Sequence, residues 1–111
     1  MVKDKKKVVE GLSKVLSRVE AEVLVFLKEH GSSYARDIEH GAGLRQPEVC
    51  IATKKLLSEG FIRMEKVEHE GKGRPRHLYS LNSNVKARFL KMVDKQVVEF
   101  EKTKESVNEL F

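Results

Sequence analysis

The chain has 111 residues, with 22 Lys and Arg against 17 Asp and Glu, which gives a formal net charge of +5. This length fits one domain and leaves little room for a large internal substrate cavity, and a single cysteine excludes an intramolecular disulfide framework. No apolar run approaches the length of a membrane span, and the first residues lack the apolar region of a secretory signal. The sequence therefore predicts a cytoplasmic, helix-rich protein that does not contact a membrane.

Two helices are predicted before the first glycine turn. Apolar residues recur at helical spacing, and Ser17 and Glu20 have the spacing of a capping box, in which each side chain accepts from the other residue's backbone N–H. We therefore expect helices over about 5–16 and 18–30, with Gly31 as the C-terminal stop. The first segment carries a cluster of basic residues, Lys3, Lys5, Lys6 and Lys7.

A short helix is predicted over about 34–40. Ser32 and Ser33 are both candidate N-caps, and Gly41 and Gly43 bracket the turn that follows, with Gly41 as a candidate C-terminal stop. The residues expected to face inward are Tyr34, Ala35 and Ile38.

A longer helix follows the turn. Pro47 fits its first turn, the helix is expected to run to Glu59, and Gly60 ends it. Its predicted apolar face consists of Val49, Ala52 or Thr53, Leu56 and Leu57. Its predicted outer face consists of Arg45, Gln46, Glu48, Ile51, Lys54, Lys55 and Ser58.

After this helix the pattern changes to strands. Two runs at 61–67 and 77–81 alternate in hydrophobicity, and the connection between them contains two glycines and Pro75. This arrangement predicts a β-hairpin. The connection carries three basic residues within five positions, Lys72, Arg74 and Arg76.

The last segment, 85–111, contains no Gly or Pro and predicts one helix about 40 Å long. Its apolar residues follow the alternating spacing of three and four that is typical of a coiled-coil seam, with Lys104 in one seam position. One small domain cannot cover so long a seam, so we expect it to pack on a second copy of the chain. The alternative is packing on the N-terminal helix of its own chain. The expected dimer interface consists of Leu90, Val93, Val97, Phe100, Val107 and Phe111.

The short helix, the turn and the longer helix have the order of a helix-turn-helix motif, and the hairpin has the place of a wing. The DNA major groove is about 12 Å wide and admits one helix, on which Arg pairs with guanine and Gln with adenine, while Lys contacts phosphate. A glutamate there either accepts from cytosine or favours the helix dipole. An Arg on a hairpin tip can enter a narrow minor groove. Double-stranded DNA is therefore the predicted partner, contacted from the recognition helix by Arg45, Gln46, Glu48, Lys54 and Lys55 and from the wing by Lys72, Arg74 and Arg76.

Four stretches resemble the winged-helix domains of MarR, ArsR and TrmB-like transcriptional regulators, which are common in archaea and bacteria. They are VLVFL at 23–27, ARDI at 35–38, LLSEGFI at 56–62 and GRPRHLY at 73–79. The resemblance implies a homodimeric DNA-binding transcriptional regulator with 45–58 as the recognition helix and 70–76 as the wing.

The predicted elements give a mainly α fold with a small β-hairpin. They divide the chain into a basic N-terminal segment with the first helix (1–16), a winged helix-turn-helix domain (17–81) and a C-terminal dimerisation helix (82–111).

Other functions find weaker support in the sequence. It contains no phosphate-binding glycine motif and no acid–base pair, so we expect a protein that is not an enzyme and holds no cofactor. Cys50, His40, His69 and His77 lack the spacing of metal ligands, so no metal is expected. The alternative function is a protein-interaction module or a subunit of a larger nucleic-acid-processing complex, and a small-molecule effector is left open.

Overall fold

The computed structural model describes residues 4–68 and 76–111. Within these ranges three strands form an antiparallel sheet in the order β1-β3-β2, and five helices pack around or extend from it. The predicted class, mainly α with a small β-hairpin, is confirmed. In chain order the elements are α1 (Lys5–Leu12), α2 (Arg18–His30), β1 (Ser33–Tyr34), α3 (Ala35–Ala42), α4 (Gln46–Ser58), β2 (Ile62–Val67), β3 (Arg76–Leu81) and α5 (Val85–Leu110).

Helix α1 is shorter than predicted. It ends at Leu12 rather than near residue 16, and the Ser13 hydroxyl donates to the carbonyl oxygen of Val9 at 2.6 Å. The chain then turns, and the turn places Leu16 in the core. The predicted helix end near residue 16 is wrong, because helical periodicity alone does not show where the chain must bend to bury a side chain.

Helix α2 begins as the capping box predicts. The Ser17 hydroxyl accepts from the Glu20 backbone N–H at 3.2 Å, and Glu20 Oε1 accepts from the Ser17 backbone N–H at 3.3 Å. The helix ends at Gly31, whose N–H donates to the Leu27 carbonyl oxygen. These bonds satisfy backbone groups that a helix terminus otherwise leaves without partners.

Strand β1 was not predicted. Ser33 pairs with Tyr79 and Tyr34 with Leu78, so the two residues expected to cap or enter the short helix form a third strand instead. The N-cap of α3 is Tyr34, whose N–H donates to Asp37 Oδ2 at 3.3 Å. Neither Ser32 nor Ser33 is the cap, because β1 is fixed by pairing with a distant strand.

The turn after α3 is centred on Gly43. Gly43 is the C-cap, with φ of 67°, and the Leu44 N–H donates to the Glu39 carbonyl oxygen at 2.9 Å. A left-handed φ favours glycine, because a side chain there meets its own backbone. Gly41, the predicted stop, lies inside α3 against Phe26, whose ring an added Cβ would overlap. Gly41 therefore permits the close approach of α3 to α2.

The core lies between the helices and one face of the sheet. It receives side chains from α2, α3, α4 and the two hairpin strands, and its buried members are Leu16, Val23, Leu24, Leu27, Ile38, Val49, Ala52, Leu56, Phe61, Ile62 and Tyr79. Phe89 at the base of α5 stacks on Phe61 with ring centroids 5.4 Å apart. This contact attaches α5 to the core.

Beyond its base, α5 leaves the core. The helix is described in full and none of its residues is buried; every residue from 97 onward is exposed. The molecule therefore measures 66 × 26 × 25 Å along its principal axes. The predicted seam does not pack on α1 of its own chain beyond the first turns of α5. Within the described ranges, no helix has both the length and the apolar character required to cross a bilayer.

Candidate nucleic-acid interface

Glu48 helps to cap the N-terminus of α4. Its Oε1 accepts a hydrogen bond from the backbone N–H of Arg45 at 3.0 Å. Pro47 occupies the first turn, where backbone N–H groups have no carbonyl partner within the helix, so the N–H that proline lacks costs no hydrogen bond. One carboxylate oxygen of Glu48 is therefore engaged at the helix terminus, and base contact, one of the roles predicted for Glu48, stays a prediction. Arg45 and Gln46 are exposed beside it.

The inward face of α4 fixes the helix on the core. Val49, Ala52, Thr53 and Leu56 are all buried, so the predicted apolar face holds both Ala52 and Thr53 rather than one of them. The Thr53 hydroxyl donates to the Val49 carbonyl oxygen at 2.8 Å, which satisfies a buried polar group within the helix. Leu57, at the edge of this face, is partly buried.

The outward face of α4 points to solvent. At 3.6 residues per turn, Pro47, Ile51, Lys54 and Ser58 follow one line along the helix, opposite the buried residues. All four are exposed, and Ile51 is 70% exposed. Cys50 and Lys55 flank this line and are exposed as well. The predicted outer face is therefore exposed except at Glu48, which is half-buried, and the apolar Ile51 lies at its centre.

Lys55 has a partner on a neighbouring helix. Its Nζ lies 3.7 Å from Glu20 Oε1, and the Glu20 carboxylate is buried at the start of α2. This ion pair draws the Lys55 side chain toward α2, whereas Lys54 lies on the outward line. Spacing within α4 could not reveal the pair, because Glu20 comes from a distant part of the chain.

The predicted hairpin is present. Strands β2 and β3 pair from Ile62 with Leu81 to Val67 with Arg76. The connecting segment lies outside the described residues, so the structure places Arg76 and does not place Lys72 or Arg74.

Arg76 joins the base of the hairpin to the helix-turn-helix. Its guanidinium carbon lies 5.6 Å from the centre of the Tyr34 ring, a geometry that allows cation–π attraction. Arg36 and His77 line the same shallow surface cleft. Sequence reasoning placed Tyr34 on the inner side of α3 and missed this contact, because the contact depends on the unpredicted pairing of β1 with β3.

Metal binding finds no support in the described part of the chain. Among residues 4–68 and 76–111, no three His, Cys, Asp or Glu side chains converge as metal ligands would. Cys50 is exposed on α4. His69 lies outside the described residues.

The predicted dimer residues share one side of α5. Leu90, Val97, Phe100 and Val107 are each at least half exposed, and Phe111 at the end of the chain is 95% exposed. Near the base of the helix, Leu90 and Phe89 line an apolar groove together with Val8, Leu12 and Leu24. Leu90 belongs both to the predicted seam and to this groove.

Comparison with known proteins identifies the fold. No family model matches the sequence, and no curated protein matches it. Among solved structures, a possible transcriptional regulator from Methanosarcina mazei Go1 is similar with a TM-score of 0.69 at 14% identity, over 93% of this chain and 88% of that chain. A transcriptional regulator homologue from Pyrococcus horikoshii OT3 is similar with a TM-score of 0.58 at 15% identity, over 86% of this chain and 96% of that chain.

A third similar structure belongs to a longer protein. TrmBL2, an archaeal chromatin protein with a novel mode of DNA binding, gives a TM-score of 0.67 at 21% identity, over 96% of this chain. The match spans only 39% of TrmBL2. These likenesses confirm the winged helix-turn-helix fold that the sequence resemblance implied.

Proposed function

We propose that this chain is a sequence-specific double-stranded DNA-binding transcriptional regulator that acts as a homodimer. The observation that carries the proposal is the exposed outer face of α4, held by a buried inner face directly before a basic hairpin. A helix presented in this way fits the major groove. Residues 17–81 form the DNA-binding unit in this proposal, and residues 82–111 form the dimerisation unit.

In this arrangement the N-terminal end of α4 reads bases. Arg45 and Gln46 are exposed there and carry the donors that pair with guanine and adenine edges. Lys54 contacts backbone phosphate. Glu48 positions the start of the helix through its bond to the Arg45 N–H. Lys55 contributes less than Lys54, because its ammonium group is already drawn to Glu20.

The hairpin contacts the flanking minor groove. In sequence, Lys72 and Arg74 belong to the connection between the strands, which lies outside the described residues, and Arg76 begins β3. The Arg76 guanidinium, held near Tyr34, joins the hairpin contact to the start of α3. In helix-turn-helix proteins the first helix crosses the backbone, so the cleft with Arg36 and His77 faces phosphate in this proposal.

Homodimerisation is supported by the uncovered apolar seam. Val97, Phe100 and Val107 expose half or more of their surface on one side of α5, and a contiguous exposed apolar surface marks an interaction site. A second copy supplies the same seam, as a two-fold interface requires. A two-fold dimer also places two recognition helices in successive major grooves, about 34–36 Å apart.

The test begins with DNA selection. The full chain is offered random duplexes, and the affinity of the recovered sequence is measured by fluorescence anisotropy at two salt concentrations. We expect Arg74→Ala with Arg76→Ala to weaken binding and to reduce the salt dependence, by about 0.9 in logarithmic slope for each phosphate contact that is lost.

A matched control removes the same charge elsewhere. The control variant carries Lys95→Ala and Lys102→Ala, two exposed positions on the side of α5 opposite the seam. It should keep the affinity and the salt slope near the wild-type values. A variant with Arg74→Ala and Arg76→Ala that binds as tightly as the wild type at both salt concentrations would overturn the wing assignment. Recovery of no duplex at all would overturn DNA binding and favour the protein-interaction alternative.

A further inference from the structure

The centre of the outward face of α4 is apolar. Ile51 is 70% exposed, and exposed Pro47 precedes it by one helical turn on the same line. The buried side of the helix is already complete with Val49, Ala52 and Leu56. Ile51 therefore does not belong to the core, and the α5 seam is formed by other residues.

The place of Ile51 distinguishes it from an ordinary surface residue. A single exposed aliphatic side chain is common on protein surfaces. This one, however, stands midway along the recognition helix, between Gln46 at its start and Lys54 one turn further on. A helix seated in the major groove brings that position against the base edges.

One base offers an apolar group at that edge. Thymine carries a methyl group on C5 in the major groove, and apolar side chains recognise it by direct contact. Ile51 is also well suited to such a contact, because a β-branched side chain in a helix has one strongly preferred rotamer and loses little freedom on binding.

From this placement we infer that Ile51, flanked by Pro47, is a specificity-determining residue that contacts a thymine 5-methyl group in the major groove. The inference rests on the proposed DNA-binding function and adds a base preference to it. The selected DNA sequence should then hold a thymine in each half-site at the position that faces the middle of α4.

The experiment removes the methyl group from the DNA and the side chain from the protein. The selected duplex is synthesised with each thymine replaced in turn by uracil, which lacks only the 5-methyl group. We expect one thymine per half-site at which wild-type affinity falls about fourfold, the factor that corresponds to burial of one methyl group. Ile51→Ala should bind the thymine duplex more weakly and give equal affinities for thymine and uracil at that position.

Two variants serve as controls. Ile51→Val keeps a β-branched apolar side chain and should retain part of the preference for thymine. Lys54→Ala should weaken binding to both duplexes by the same factor, because a phosphate contact does not read the methyl group. Thermal unfolding followed by circular dichroism should be unchanged in Ile51→Ala, since the side chain is exposed.

The outcomes separate the inference from the function on which it rests. Wild-type protein that binds DNA but treats thymine and uracil alike at every position would overturn the inference and leave DNA binding in place. The same holds if Ile51→Ala keeps the full preference for thymine. Wild-type protein that binds no duplex would overturn the proposed function as well.

Discussion

Two phenylalanines in this chain occupy opposite surroundings. Phe61 follows α4, is 1% exposed and stacks on Phe89, whereas Phe100 on the distal part of α5 is 66% exposed. The first belongs to a region in which helices and sheet cover one another's apolar faces. The second belongs to a helix with the same kinds of residue, whose distal part is left uncovered by the described residues 4–68 and 76–111. The apolar side chains of this sequence therefore divide into a set that forms the core and a set on α5 that is available for the proposed dimer.

The comparison also explains why apolar periodicity has two meanings here. In α2 and α4 an apolar face is matched by a neighbouring face within the chain, and the result is a core. In α5 the periodicity continues beyond residue 96, where every residue is exposed. Apolar periodicity identifies the apolar face of the helix in both regions, but it does not show which surface covers that face.

The largest expected effect concerns assembly. Val97→Glu with Phe100→Glu places two charges in the seam, where burial of an unpaired charge is unfavourable, so the protein should become monomeric. Sedimentation velocity measures the change. Lys95→Gln with Lys102→Gln makes the same change in net charge on the opposite side of α5 and should leave a dimer. A charged-seam variant that still sediments as a dimer would contradict the interface.

The second prediction contrasts the two phenylalanines directly. Phe61→Ala should lower the free energy of unfolding by about 3–5 kcal/mol at any protein concentration, because it leaves a cavity in the core. Phe100→Ala should reduce stability only at concentrations at which the wild type is a dimer. Urea unfolding at two protein concentrations measures both. A concentration-independent loss of similar size in Phe100→Ala would place that residue in a core.

The third prediction contrasts two glycines. Gly43→Ala forces a side chain into a left-handed conformation and should lower the free energy of unfolding by about 1–2 kcal/mol. Gly11→Ala lies in α1, where an added Cβ meets nothing within 4 Å, and should raise it by about 0.4–1 kcal/mol. Thermal and urea unfolding measure the change in the free energy of unfolding for both variants. A stabilising effect of Gly43→Ala would contradict a left-handed conformation at residue 43.

The smallest effect concerns two serines. Ser17→Ala removes the cap of α2 and should lower the free energy of unfolding by about 1 kcal/mol. Ser106→Ala removes only a hydroxyl that bonds the Lys102 carbonyl oxygen on exposed α5, and should change it by less than about 0.5 kcal/mol. Equal losses at the two sites would mean that the distal part of α5 is as firmly held as α2.

Local patterns predicted most of the fold. The Ser17 capping box, the inner face of α4 and the two hairpin strands all follow from residues close in sequence, and each is present. Strand β1 could not be predicted in this way, because two residues show no alternation and Ser33 is placed by Tyr79. The close packing of Gly41 depends likewise on Phe26, which lies in another helix, whereas the turn itself falls at Gly43.

The candidate site likewise contains some features that local sequence predicts and others that depend on distant residues. The exposure of Arg45, Gln46 and Lys54 follows from helical periodicity. The ion pair of Lys55 with Glu20 and the contact of Arg76 with Tyr34 depend on tertiary structure, and sequence spacing gives no signal for either. The apolar centre of the outer face also follows from helical periodicity, since Pro47 and Ile51 are four residues apart, but the contacts predicted from the sequence are all polar.

One junction has a mechanical consequence. Gly60, which separates α4 from β2, lies so close to the Arg88 guanidinium of α5 that an added Cβ would approach within 2.6 Å, and the same guanidinium lies 3.5 Å from the Glu59 carbonyl oxygen. The end of α4 is thus held next to the base of α5. In the proposed dimer joined through α5, the angle at this junction would set the distance between the two α4 helices, and with it the half-site spacing that the proposed DNA-binding pair could bridge.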